Sequence, residues 1–571
     1  MTVMNGGEAI VKMLQVHGVE FAFGMGGFQA LPYYDALARQ DKIHHILIRD
    51  EKHGAFAADG YARVKNRAAV ADATLGPGAT NLVSGAAEML GASIPGILLT
   101  GEVNSGLAGR AATQESDQFG MLKPTCKSSI NLQRIDRIPE LVRRAFALAN
   151  GGRPGPVNLN VPEDVFHGRH DFPDSELYAD PDATYVGARR IRPDAKLVDK
   201  AAGMIRAASR PVMIVGGGIH LSQAYDELAQ FIDLTGIPVA STISGKGSIS
   251  EAHDLAVGLC GRYSRTANDL IKDADLLLVV GCKLGEIATS RWTIIPPETR
   301  IIHLDIDPSE LGKVYRVAVG LWGDAKAGLA DLADALRREE PRMKARKRVQ
   351  AAQVTAAKAA WLEMATSNYR SDDQPVHMAR LLHEIRNTVP AESILVADGG
   401  FAAHWSALLF DVHQSGRTYI ANRGHAAIGY GLPGAIGAKL AAPDRPVVAL
   451  CGDNGFAMAA AELETAKRVG ANVICVVVNN SALGYVKALQ HAMYSDRFIS
   501  VDFVDTEYAD LARSMGCQGM RVDAPGMLRA ALSEALDVQA NTPILLDVRT
   551  TTDPSKMLPG VDARTAAAAT D

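Results

Sequence analysis

Residues 446–480, PVVALCGDNGFAMAAAELETAKRVGANVICVVVNN, read as strand, tight loop, helix, strand, loop. Both strands are apolar throughout. In a parallel sheet the two loops follow the carboxyl ends of their strands and lie side by side at the rim where such sheets bind ligands. Asp453 and Asn480 therefore converge. A carboxylate and an amide oxygen with few other charges suit a hard divalent cation such as Mg²⁺, which completes its octahedron with water and phosphate oxygens. The backbone N–H groups of Gly452, Asp453, Asn454, Gly455 and Phe456, where the helix opens, are placed to hold that phosphate. A bare Gly-Asp-Asn triplet is otherwise an ordinary turn.

The elements that must position these groups recur along the whole chain. Short β-branched runs alternate with Ala-rich helical patterns, the mark of βαβ units and parallel sheets. The fold class expected is α/β, with three doubly wound parallel-sheet domains. Their boundaries are read as 1–180, 190–340 and 372–552, with a charged linker helix at 341–371 whose charges are a solvated face, and a tail at 553–571 whose Ala/Thr-rich end is mobile. A length of 571 residues supports three to four domain-sized units.

Composition excludes several function classes. Lys and Arg total 59 against 64 Asp and Glu, a formal charge of −5 with no basic stripe, which argues against nucleic acid as a partner. No apolar run is long enough for a membrane span, and MTVMNGGEAIVKMLQ lacks a basic segment followed by an apolar core, so a cytoplasmic location is expected. The six cysteines are scattered without a CxxC pair, and four of them sit in or beside apolar runs where a buried inert thiol is the ordinary outcome.

The GDN triplet followed by 24 residues and then NN, with an intact βαβ between, resembles the thiamin diphosphate (ThDP) binding motif. On this basis the chain is identified as a member of the ThDP-dependent enzymes, similar to the acetohydroxyacid (acetolactate) synthase group over nearly its whole length. The resemblance implies a pyrimidine-binding first domain, a central domain and a diphosphate-binding third domain. It also implies ThDP and Mg²⁺ as cofactors, with Asp453, Asn480 and the Ala482 carbonyl as protein ligands of the metal and Tyr485 facing the pocket.

Further segments match the family in order. HHILIRDEKHGAFAADGYARV (44–64) places Glu51 at a strand–helix junction, where the resemblance makes it the acid that hydrogen-bonds the aminopyrimidine ring and favours the tautomer able to draw a proton from C2. Taken alone, Glu51 is an exposed glutamate at a helix N-terminus, stabilised by the dipole. LGPGATN (75–81) turns into a helix beside it. Gln114, in ATQESDQ, matches a family glutamine near the reacting carbon, with a structural hydrogen bond as the alternative. ADGGFAAHW (397–405) is similar to the loop whose amides hold the diphosphate, through Gly399 and Gly400. In NRGHAAIGYGLPGAIGA (422–438), the match makes Ile428 the residue that bends the cofactor and the Ala426 carbonyl the acceptor for the 4′-amino group. His425 is either structural or a proton-transfer group. Met557-Leu558-Pro559 is similar to the family's active-site cover.

Several positions depart from the family. Lys283 and Ile287 stand where arginines are expected in the middle domain, and an isoleucine cannot grip a carboxylate as a guanidinium does. Leu489 replaces a tryptophan. These changes argue against FAD and against branched-chain amino acid biosynthesis. Phe28 and Gln29 occupy slots that are usually small near the reacting carbon; Phe28 reads as a pocket wall and Gln29 as a donor to substrate oxygen. Arg262, Arg265 and Arg291 read as solvated, with anion contact as the alternative.

The expected activity is decarboxylation of a 2-oxo acid with carboligation of the remaining fragment to an acceptor carbonyl. A lyase cleaving a 2-hydroxy ketone, diketone or 2-hydroxyacyl thioester is the alternative, then a flavin-dependent oxidase; from another class, a catalytically silent binding subunit. The resemblance implies ThDP held between subunits, hence a homodimer at minimum and a homotetramer as the larger assembly.

Overall fold

The computed structural model describes residues 2–337 and 340–559; the Ala/Thr-rich end at 560–571 lies outside the described residues. It contains three six-stranded sheets in which every strand pair is parallel. Strands such as Leu276–Val280 (LLLVV) and Ile474–Asn479 (ICVVVN) are buried along their whole length. That is what parallel strands covered by helices on both faces require.

The first sheet runs His44–Leu47, Phe21–Gly24, Ala69–Ala73, Gly96–Glu102, Pro156–Pro162, Ser128–Asn131. Numbered in chain order, this is 2-1-3-4-6-5. The third sheet, Tyr419–Ala421, Ile394–Ala397, Val447–Gly452, Ile474–Asn479, Ile544–Arg549, Gln518–Val522, has the same order. The central sheet differs. It runs Ala256–Leu259, Val239–Ser241, Pro211–Val215, Leu276–Val280, Arg300–Asp305, Val319–Trp322, which is 3-2-1-4-5-6. The three domains share a parallel architecture, while only the outer two share a topology. A two-stranded antiparallel ribbon pairs Thr2–Asn5 with Arg169–Phe172 and ties the start of the chain to the end of the first domain.

Local sequence sets the helix starts that matter for the site. Asp50 is the N-cap of helix Glu51–Lys65, its carboxylate accepting from the Lys52 N–H, so Glu51 is the first residue of the helix. That helix packs on helix Gly431–Ala441 of the third domain through small residues. A Cβ at Gly60 would lie 2.1 Å from the Gly434 carbonyl oxygen, and one at Gly437 would lie 1.9 Å from that of Ala57. Backbone meets backbone across the interface, which only glycine permits.

The helix Glu340–Tyr369 is less solvated than its composition implied. It buries Met343 in one central-domain core and Val354 in another, while Ala365 and Tyr369 join the third-domain core. Its charges are used as well. Lys358 donates to the carbonyls of Glu251 and His253, and Arg346 to those of Ile205 and Ala208. Among the described residues no helix is long and apolar enough to cross a membrane.

Candidate active site

In each outer sheet the strand order reverses between the first and third strands, and ligands of open parallel sheets bind at the carboxyl ends there. In the third domain the two flanking loops are Asp398-Gly399-Gly400 and the turn at Asp453. In the first domain they are 25–30, carrying Phe28 and Gln29, and 74–76. Gly399, Gly400, Asp453, Phe28 and Gln29 thus fall at the switch points, whereas Glu51 and the 425–428 loop follow the second strand of their sheets, and Gln114 and Asn480 the fourth.

Asp453 is buried, and its oxygens accept from three amides: Asn454 at 2.7 Å, Asn480 at 3.1 Å and Ala482 at 3.3 Å. Asn480 and Ala482 are buried too, and the Asn480 side-chain oxygen lies 3.1 Å from the Ala482 N–H. The three residues therefore meet. Burial pushes the Asp453 carboxyl up to about 6 against the opposing pull of the amides, and no cationic side chain pairs with it among the described residues. A hard cation would supply the missing charge, so this donor set of carboxylate, amide and backbone oxygens fits Mg²⁺ with phosphate and water completing the shell. Tyr485 lies beyond it, partly buried and packed edge-on against His404 with centroids 4.6 Å apart.

The glycine cradle beside it is tight on one face and open on another. Gly400 takes φ +67°, and a Cβ at Gly399 would press to 2.7 Å of the Ala426 carbonyl oxygen. Around Gly452 a Cβ would meet nothing within 4 Å, leaving room for a ligand. At Gly455 a Cβ would fall 2.0 Å from the Asp398 carboxylate. Ala426 has φ +59°, and Ile428 lies beside Gly400. Asp398, which the sequence reading left without a role, fastens this loop: its carboxylate accepts from the N–H groups of Gly399, Gly429 and Tyr430. Burial lifts its carboxyl to about 6 also.

In the first domain, Glu51 is buried and its carboxylate accepts from the Asn81 amide at 2.9 Å. Its other oxygen lies over Gly78, where a Cβ would come within 2.9 Å. Gln29 accepts from the Thr74 hydroxyl at 3.2 Å, while Phe28 is 65% exposed in the isolated chain. Gln114 is exposed with φ +65°, its backbone folded over Gly76. The buried glutamine of that segment is Gln118, which joins the Gly76 N–H, the Gly101 carbonyl and Asn160. The His425 side chain is exposed, and its backbone N–H donates to Glu88.

The middle-domain arginines are not solvated in the way their loops implied. Arg262 is buried and pairs with Glu286 at 2.6 Å, and Arg265 pairs with Asp411 at 2.7 Å; Arg291 remains exposed near Glu286. All six cysteines are buried and unpaired, and burial lifts the Cys126 and Cys282 thiols to about 12.

A switch point in each outer sheet, a buried carboxylate–amide–carbonyl cluster and a glycine cradle define the class, an α/β enzyme built to bind a diphosphate. The N-terminal TPP binding domain model matches residues 4–121, the thiamine pyrophosphate enzyme central domain 198–332, and the C-terminal TPP binding domain 398–548. The chain belongs to the thiamine pyrophosphate enzyme family. It is 36% identical to the probable acetolactate synthase large subunit of Methanocaldococcus jannaschii, covering 98% of this chain and 93% of that one. It is 33% identical to the acetolactate synthase large subunit of Corynebacterium glutamicum, over 95% and 86% of the two chains. For the acetolactate synthase isozyme 2 large subunit of Escherichia coli the identity is 31%, over 95% of each.

Proposed function

We propose that the chain is a ThDP- and Mg²⁺-dependent carboligase that decarboxylates a 2-oxo acid and joins the remaining fragment to an acceptor carbonyl, as an acetolactate synthase does. The observation that carries this reading is the convergence of Asp453, Asn480 and Ala482 beside the Gly399-Gly400 cradle. Asp453, the Asn480 amide oxygen and the Ala482 carbonyl would hold the metal, and the amides from Gly452 to Gly455 with those of Gly399 and Gly400 would hold the diphosphate. Bound ThDP supplies a nucleophilic carbon and an electron sink for the pair released when CO₂ leaves. Glu51, buried and oriented by Asn81, holds a proton against the aminopyrimidine ring. The Ala426 carbonyl would accept from its amino group, and Ile428 would pack against the cofactor and set its shape. Phe28 walls the pocket, Gln29, held by Thr74, and Gln114 reach substrate oxygen, and His425 moves a proton at the pocket rim.

The working unit in this reading is a homodimer at minimum and a homotetramer in full, with each site built from the first domain of one subunit and the third of another. Exposed apolar side chains near the site loops support it: Phe28 and Met121 in the first domain, Ile499 and Val504 in the third, the last two 75% and 83% exposed. The reading assigns no catalytic role to FAD, because Lys283 and Ile287 replace guanidinium groups, and it places the enzyme in the cytoplasm, a reducing compartment suited to six unpaired cysteines.

The test is mass spectrometry of the protein incubated with ThDP, Mg²⁺ and a panel of 2-oxo acids, acyloins and 2-hydroxyacyl thioesters. CO₂ release from one 2-oxo acid with a ligated product supports the carboligase. Cleavage of an acyloin or thioester without decarboxylation replaces it by the lyase. Flavin absorbance in the purified protein overturns the flavin-free assignment.

A further inference from the structure

A cavity of about 410 Å³ opens between the first and central domains and reaches the third-domain loop at Arg423. Its walls include the glycine turn after Pro211–Val215 and the segment from Gly281 to Ala288, with Lys283 and Ile287. Four cationic side chains line it, and three are committed. Arg153 pairs with Asp307 at 3.2 Å and Glu310 at 3.4 Å, Arg189 pairs with Asp180, and the Lys283 ammonium donates to the Gly91 carbonyl at 2.5 Å.

Arg423 is different. Its Nη1 is sealed from solvent and has no hydrogen-bond partner among the described residues. Burial disfavours its charge, and the nearby Glu88 does not answer it: that carboxylate is spent on Arg63 and on the N–H groups of Gly424, His425 and Ala426. A guanidinium held this way calls for an anion brought from outside. Ile287 lines the same cavity as Arg423 and also packs against the hydrophobic cluster that holds the third-domain core.

We propose that Arg423 is the anchor for the carboxylate of the 2-oxo acid substrate, supplying from the third domain the guanidinium that the central domain lacks at Ile287. The proposal rests on the carboligase reading above. Arg423 lies three residues before Ala426 in the loop on the Gly399 cradle, so an acid gripped there is held by the same loop that faces the cofactor. Two parallel N–H···O bonds give the grip its direction, which a lysine at the same place does not reproduce.

The experiment is an equilibrium titration of the full chain, loaded with Mg²⁺ and a ThDP analogue lacking the reactive C2–H, with pyruvate and with methyl pyruvate. The wild type is expected to bind the acid at least tenfold tighter than the ester, Arg423→Gln to lose that preference, and Arg423→Lys to retain part of it. An unchanged acid-to-ester ratio in Arg423→Gln, or no preference in the wild type, overturns the proposal. If Arg423→Gln does not fold, Arg423→Lys decides: a ratio equal to wild type overturns it, and one several-fold lower supports it. No turnover enters this measurement. Failure of every 2-oxo acid to release CO₂ with native ThDP is a separate result and overturns the carboligase reading instead.

Discussion

Glu88, fully buried on helix Pro77–Ala92 of the first domain, accepts from the backbone N–H groups of three consecutive third-domain residues: Gly424 at 2.8 Å, His425 at 2.6 Å and Ala426 at 3.0 Å. Its charge is balanced by Arg63, which also bridges to Asp59, and Asp59 in turn accepts from the Tyr430 hydroxyl. One carboxylate therefore sets the backbone of the loop that carries Ala426 and Ile428. Glu88→Ala leaves three part-buried amides and a buried guanidinium short of a partner. The expected cost is about 3–5 kcal/mol, seen as a lower midpoint in chemical denaturation. Glu88→Gln keeps the shape and one acceptor oxygen, and should fold while binding ThDP less tightly in an equilibrium titration.

Glu51→Gln removes the proton-holding group but not the shape of the site. Exchange of the C2 proton of bound ThDP should slow by about 100-fold or more, followed by NMR after quenching, with ThDP affinity within a few-fold of wild type. Wild-type exchange in this variant would remove Glu51 from the mechanism.

Two buried carboxyls, Asp398 and Asp453, are lifted by burial to about 6 from an ordinary 3.8. A folded-state value above the unfolded one means that the folded protein binds protons more readily. The metal-free protein should therefore gain stability as pH falls from about 7 toward 4, and lose that contribution as pH rises through about 6. Mg²⁺ and ThDP favour the ionised Asp453 and should bind more weakly as pH falls through about 6. Denaturation midpoints with and without Mg²⁺ between pH 4 and 8 check both signs. Asp453→Asn should remove the part of the slope that depends on the metal.

Gly60→Ala forces a methyl group to within 2.1 Å of the Gly434 carbonyl oxygen, in an interface where backbone already meets backbone. Ordinary helix propensity favours the change by up to about 1 kcal/mol. The clash outweighs this, so the variant should be less stable by about 2 kcal/mol or more in urea denaturation. A more stable variant would mean that the two helices separate without cost.

Phe28 is mostly exposed in the isolated chain, so Phe28→Ala should change monomer stability by less than about 0.5 kcal/mol. Its effect should appear instead in the ratio of kcat/KM values between small and branched 2-oxo acids, shifted toward the larger substrate. An unchanged ratio would take Phe28 out of the pocket wall.

The alternation of apolar strands and Ala-rich helices, the strand–helix junction at Glu51, and the loops at Asp453 and Asn480 were all legible in sequence. They depend on residues close together along the chain, through side-chain period, capping and turn chemistry. The joint position of Asp453 and Asn480 follows from one βαβ unit. Nothing local reveals that the central sheet runs 3-2-1-4-5-6 while its neighbours run 2-1-3-4-6-5, because strand order is chosen by which buried surfaces pack together over long separations. For the same reason sequence left the linker helix solvated and Arg262 and Arg265 in water, whereas packing gave them partners. Glu88 lies 336 residues before the first amide it holds, and Arg423 stands out only in three dimensions, where its Nη1 finds no hydrogen-bond partner among the described residues and the nearby Glu88 is already engaged. The sequence by itself determined which chemical groups are present and at which strand ends; tertiary structure decided which of them meet and which charge is left for a ligand, since hydrogen-bond partnership depends on distance in space and not along the chain.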